Sequence, residues 1–99
     1  MPTNSTVLEG IVAICDAPRT TPGGTATRNL TLRHESIQKE GDREVTVEVE
    51  MNAIAFGEVA KALSSVKVGD KLSVKGFLSR KSRYSSFPVL HITQFKFKS

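Results

Sequence analysis

The stretch Glu44-Val45-Thr46-Val47-Glu48-Val49-Glu50-Met51 alternates polar and apolar residues without a break. A period of two puts four apolar side chains on one face and Thr46, Glu48 and Glu50 on the other, which a helix cannot do. It is read as a half-buried strand, and the same pattern recurs. Leu72, Val74 and Leu78 alternate with Lys71, Ser73, Lys75 and Ser79, and alternation resumes at Val89-Leu90-His91-Ile92. Near the start, residues 6–15 form a β-branched run, in which Gly10 predicts a bulge or a sharp coil of the kind tightly bent barrels need. Residues 25–34 point Leu30 and Leu32 one way and Asn29, Thr31 and Arg33 the other. Such a chain is all-β.

The segments between these strands complete the order. Residues 16–24 form a loop by their Pro and Gly content, and Gln38-Lys39-Glu40-Gly41-Asp42-Arg43 reads as a polar hairpin turn. The period changes in residues 53–63, where Phe56, Val59, Ala60 and Leu63 fall at helical intervals, predicting a short helix that Gly57 weakens. Residues 66–70 turn into a fourth strand, and a fifth runs from Pro88 to about Phe97, with Pro88 at its first residue, where no ladder bond is lost. Five strands with a helix between the third and fourth match the OB-fold, a small barrel, here as one domain over residues 1–99. An SH3-like barrel or a sandwich fits the strand count less well.

Charge indicates what such a barrel would meet. Residues 1–50 hold five Lys/Arg against eight Asp/Glu, whereas residues 51–99 hold nine against two. After Asp70 no acid follows, while Lys71, Lys75, Arg80, Lys81, Arg83, Lys96 and Lys98 do. Such asymmetry predicts a face for polyanions. The run Arg80-Lys81-Ser82-Arg83-Tyr84-Ser85-Ser86-Phe87-Pro88 interrupts the alternation and is read as an exposed basic loop between the last two strands. A cationic loop with a planar side chain suits a phosphate backbone and unstacked bases. An OB-fold binds strands across its second and third strands, between the first and last of its inter-strand loops. The candidate contacts are therefore Arg19 on the first loop, Arg28, Arg33 and His34 on the second strand, Lys75 on the fourth, and Arg80, Lys81, Arg83, Tyr84 and Phe87. Most of these have second readings: Arg80, Lys81 and Arg83 as cations that only solubilise a loop, Tyr84 as cover for the barrel rim, Arg28 as a strand-end residue in phase with Leu30, His34 as a satisfied buried-edge histidine, and Phe87 as a barrel plug.

Other classes fare poorly. No apolar run approaches the ~20 residues of a bilayer span, no secretory signal opens the chain, and the lone Cys15 fits a reducing, cytoplasmic setting. Two histidines and one cysteine offer no zinc spacing, and Pro22-Gly23-Gly24 lacks the Lys-Ser/Thr of a phosphate-cradling loop. Neither catalysis, a cofactor nor a metal is expected.

Certain phrases resemble known proteins. Asn4-Ser5-Thr6-Val7-Leu8-Glu9-Gly10-Ile11-Val12 is similar to the opening strand of bacterial single-stranded DNA-binding proteins. Ala55-Phe56-Gly57-Glu58-Val59-Ala60 and residues 68–78 are similar to their helix and fourth strand. Leu32-Arg33-His34-Glu35-Ser36-Ile37-Gln38-Lys39-Glu40 and Gly76-Phe77-Leu78-Ser79-Arg80-Lys81-Ser82-Arg83 resemble the PriB (primosomal replication protein N) family, as do the chain's length, its early Thr-Pro-Gly loop and its Pro-Val-Leu-His-Ile strand. The resemblance covers essentially the whole chain. It implies a homodimer of OB-folds that binds single-stranded DNA during replication restart, beside the PriA helicase and, in many bacteria, DnaT. Typical tetrameric single-stranded DNA-binding proteins continue past the barrel into a flexible linker and an acidic tail, whereas this chain stops at Ser99, which favours the primosomal reading. Some members stack bases on a third-strand tryptophan. This chain has no Trp, so binding is expected to rest on charge and on Tyr84. Strand one and the acidic strand three are the expected dimer edges. An RNA-binding module of cold-shock type, which displays aromatics on strands two and three, and a protein-interaction adaptor using the acidic strand or the basic loop are the alternatives.

Overall fold

The computed structural model describes residues 1–98. Its main strands are β1 (Thr6–Cys15), β2 (Ala26–Glu40), β3 (Arg43–Phe56), β4 (Lys71–Ser82) and β5 (Ser85–Phe97). Helix α1 (Glu58–Ala62) and a 3-10 turn (Leu63–Ser65) lie between β3 and β4. Neighbouring strands run β1-β4-β5-β3-β2, and β2 returns to β1, so the sheet closes on itself. The ladders are antiparallel except between β3 and β5, which meet in parallel only at Ala53–Leu90 and Ile54–His91. This is the five-stranded OB-fold barrel the sequence predicts. A two-residue strand, Arg19–Thr20, adds to β2 within the β1–β2 connection.

The alternating residues fill the barrel. Val12, Leu30, Leu32, Leu72, Val74 and Leu90 are buried at its centre, and Ala60, Leu63 and Val66 join them from the helical segment. Burying each large aliphatic contributes about 1.5–3 kcal/mol. Two glycines allow the tight closure. A Cβ at Gly10 would stand 2.8 Å from the carbonyl oxygen of Arg33, and one at Gly76 only 1.7 Å from that of His91. Gly10 thus serves close strand approach, and the bulge in β1 falls later, between Val12 and Ile14.

Three elements differ from expectation. The helix does not begin at residue 53: β3 continues to Phe56, with Ala53 and Ala55 inward and Asn52, Ile54 and Phe56 outward. The polar turn at 38–43 shrinks to Gly41-Asp42, because cross-strand bonds run out to Glu40–Arg43. The basic loop is likewise mostly strand, with β4 and β5 joined through Arg83-Tyr84. In the two hairpins ladder hydrogen bonds outweigh a polar composition that reads as loop, and at 53–56 they outweigh a helical spacing. No helix among the described residues is long and apolar enough to cross a membrane.

Candidate nucleic-acid interface

A cleft of about 560 Å³ crosses the outer faces of β2 and β3. Its floor carries Asn29 and Thr31 from β2, and Asn52, Ile54 and Phe56 from β3. The Thr31 hydroxyl donates to Asn52 Oδ1 at 3.1 Å, tying the two strands across the floor. One wall holds Ile14 and Asp16, where β1 leaves the barrel; the other holds Ser79, Arg80 and Lys81 at the end of β4. His91 of β5 lies beside Phe56 with its ring near-parallel (centroids 6.0 Å apart, planes at 24°). Phe56 is 45% exposed. The arrangement joins two cations at the rim to an apolar, aromatic floor bordered by amide side chains, the combination a single strand needs for its phosphates and its base faces.

The basic hairpin continues beyond the rim. Serine hydroxyls order its tip: the Tyr84 N–H donates to Ser82 Oγ and the Phe87 N–H to Ser85 Oγ, both at 3.2 Å. The Arg83 guanidinium lies 5.3 Å from the centre of the Tyr84 ring, and Tyr84 is 87% exposed. Phe87 is 76% exposed, so it is not the barrel plug of the sequence reading. The hairpin therefore presents Arg80, Lys81, Arg83, Tyr84 and Phe87 as one projecting unit.

The remaining candidates lie elsewhere. Arg28 is only 6% exposed; its Nη2 donates to the Val66 carbonyl at 3.2 Å and to Cys15 Sγ. It faces the interior as its phase with Leu30 implies, binds the end of β1 to the turn after the helix, and has no surface to offer a phosphate. His34 is half-buried at the β1–β2 seam, its Nδ1 2.6 Å from the Glu9 carbonyl oxygen and its Nε2 2.7 Å from Ser36 Oγ. That is the satisfied-histidine reading. Arg33 faces outward but sits 3.8 Å from a Glu50 carboxylate oxygen, beside a separate hollow formed with β1. Arg19 is exposed on the β1–β2 connection, outside the cleft lining, and Lys75 lies on the outer wall of β4. The four converging segments of the sequence reading reduce to the two cleft walls and the floor between them.

The floor residues were missed. The helical spacing of Phe56 with Val59 and Leu63 assigns it to the helix; the structure puts Phe56 on β3, facing the cleft. The small inward Ala53 and Ala55 carried the signal, since they extend the alternation of 44–51 by two further periods.

The whole barrel has known counterparts. Residues 4–94 match a family described as another single-strand binding protein family. Replication restart protein PriB of Nitrosomonas europaea is 32% identical over 89 residues, covering 90% of this chain and 82% of that protein. PriB of Neisseria gonorrhoeae is 34% identical over 94 residues, covering 95% and 93%. The solved structure of PriB from Ralstonia solanacearum superimposes with a TM-score of 0.89 at 26% identity, covering 99% of this chain and 100% of that one. The single-stranded DNA-binding protein of Thermus aquaticus shares the fold, with a TM-score of 0.79 at 20% identity over 98% of this chain and 50% of that one.

Proposed function

The chain belongs to this single-strand binding family, as a relative of the replication restart protein PriB, and from that membership we propose that it binds single-stranded DNA without sequence preference in the cleft over β2 and β3. The observation that carries the reading is the cleft itself, with Arg80 and Lys81 at its rim and Phe56 on its floor. Phosphates pair with the rim cations and with Arg83, while bases lie on Phe56 and on Tyr84 at the hairpin tip. Affinity then depends steeply on salt and little on sequence. In this reading the protein is a single-domain homodimer that assists the PriA helicase at replication restart, with DnaT as a further partner, and has no catalytic role of its own.

Fluorescence anisotropy tests the binding: labelled oligo-dT, RNA and duplex DNA of equal length are titrated at low and physiological salt. Tight binding of the DNA strand that weakens with salt, with poor duplex binding, is the expected result. RNA bound better than DNA supports an RNA-binding module instead. No binding at low salt overturns the nucleic-acid reading and leaves a protein-interaction adaptor. Sedimentation equilibrium tests the dimer, and pull-down with purified PriA tests that partnership.

A further inference from the structure

Phe77 has no place in the cleft, yet the structure prepares it for contact. Lys75, Phe77, Ser79 and Lys81 occupy alternate positions of β4, so that along the strand Phe77 has Lys75 about 7 Å to one side and Lys81 about 13 Å to the other. Directly across on β5, His91 stacks on the Phe77 ring at 4.9 Å between centroids and 12° between planes. His91 also stacks on Phe56, so three near-parallel rings run from the cleft floor across β5 to the wall of β4. The outer members of this row, Phe56 and Phe77, are 45% and 40% exposed, while the half-buried His91 positions both.

The backbone holds Phe77 from both sides. Gly76 permits close approach to His91, and the Asn4 side chain grips Leu78, accepting from its N–H at 3.0 Å and donating to its carbonyl at 2.7 Å. The ring is fixed in position without being covered. The charge around it selects the occupant: the hollow farther along this wall contains Lys75 and Lys96 and no carboxylate. An exposed aromatic fixed among cations and continuous with the cleft suits a base with its phosphates.

We propose that Phe77, with Lys75 beside it on β4, is a second base-stacking station outside the cleft, taken by single-stranded DNA that leaves the cleft over Phe56 and crosses β5 and β4. The inference rests on the reading of the cleft as a single-strand site. It makes Lys75 a phosphate contact that the cleft alone does not explain.

Anisotropy titrations with oligo-dT from about 4 to about 16 nucleotides, the range of single OB-fold site sizes, test it. They compare the intact chain with Phe77→Leu, Lys75→Ala and the cleft variant Arg80→Ala/Lys81→Ala. Phe77→Leu keeps an apolar side chain at the position, and its thermal melt checks the fold. The expected result is that Phe77→Leu and Lys75→Ala leave the shortest oligomers unaffected and weaken the longest about tenfold, the scale of one stacked base. The cleft variant loses affinity at every length. Equal loss at all lengths in Phe77→Leu, or none, overturns the station. So does a fall in sedimentation mass with unchanged DNA binding, which makes Phe77 a contact between copies of the chain. Failure of the cleft reading looks different: Arg80→Ala/Lys81→Ala then binds every length like the intact chain, while Phe77→Leu does not. An intact chain that binds no oligomer sinks both.

Discussion

Two hairpins of this barrel are built alike and charged oppositely. Each joins long strands through a two-residue turn: Gly41-Asp42 between β2 and β3, Arg83-Tyr84 between β4 and β5. The β2–β3 hairpin carries Glu35, Glu40, Asp42, Glu44, Glu48 and Glu50, relieved by Lys39, Arg43 and the Arg33–Glu50 pair. The β4–β5 hairpin carries Arg80, Lys81 and Arg83 and no acid. One backbone device thus yields two surfaces, and the difference lies in the side chains. A polyanion is drawn to one and repelled by the other over roughly a Debye length, ~8 Å at physiological salt. The cleft adjoins the basic hairpin, so on the proposed function the strand's path is biased toward Arg80, Lys81 and the ring row.

The largest effect should come from the root of the basic hairpin. Gly76→Ala forces a Cβ into the His91 carbonyl and should cost at least about 3 kcal/mol of stability, read by chemical denaturation; wild-type stability would show that β4 and β5 are not joined as described. Next, replacing Arg80, Lys81 and Arg83 together by alanine should weaken oligo-dT binding about a hundredfold at low salt and flatten the log–log salt slope by about 2, at ~0.7 per phosphate contact on a single strand. An unchanged slope removes the basic hairpin from the interface. Phe56→Ala should cost about 1–3 kcal/mol of binding by titration while leaving the salt slope intact, since it removes stacking and no charge. Smallest of all, Glu44→Gln/Glu48→Gln on the acidic hairpin should raise affinity by a few tenths of a kcal/mol at low salt and not at high salt. A fall in affinity there means the strand touches that hairpin.

The fold could be read closely from the alternation because it is a property of the barrel itself. Residues 6–15 were placed as β1 to the residue, and the strand order followed from the one change of period. The hairpin lengths were not readable: residues such as Gln38, Lys39, Ser85 and Ser86 look like loop, and only cross-strand pairing, which composition does not encode, extends the strands through them. The charged part of the site was visible as an uninterrupted run of cations after Asp70. Of the aromatics, Tyr84 and Phe87 were visible in that run, but the floor rings were not, because Phe56 and His91 lie far apart in sequence and become neighbours only through the short parallel pairing of β3 with β5. Arg28 shows the reverse problem. A positive charge on the second strand suggests a phosphate contact, but its phase with Leu30 turns it inward, where it supports the chain instead of a ligand.

The most direct test of where the strand lies is a map of backbone amide chemical-shift changes as oligo-dT is titrated into the isotope-labelled protein. The account predicts that the changes cluster on Asn29, Thr31, Asn52, Ile54, Phe56 and the stretch 79–87, leaving 35–48 nearly still. Changes concentrated on the acidic hairpin, with the cleft silent, would contradict it.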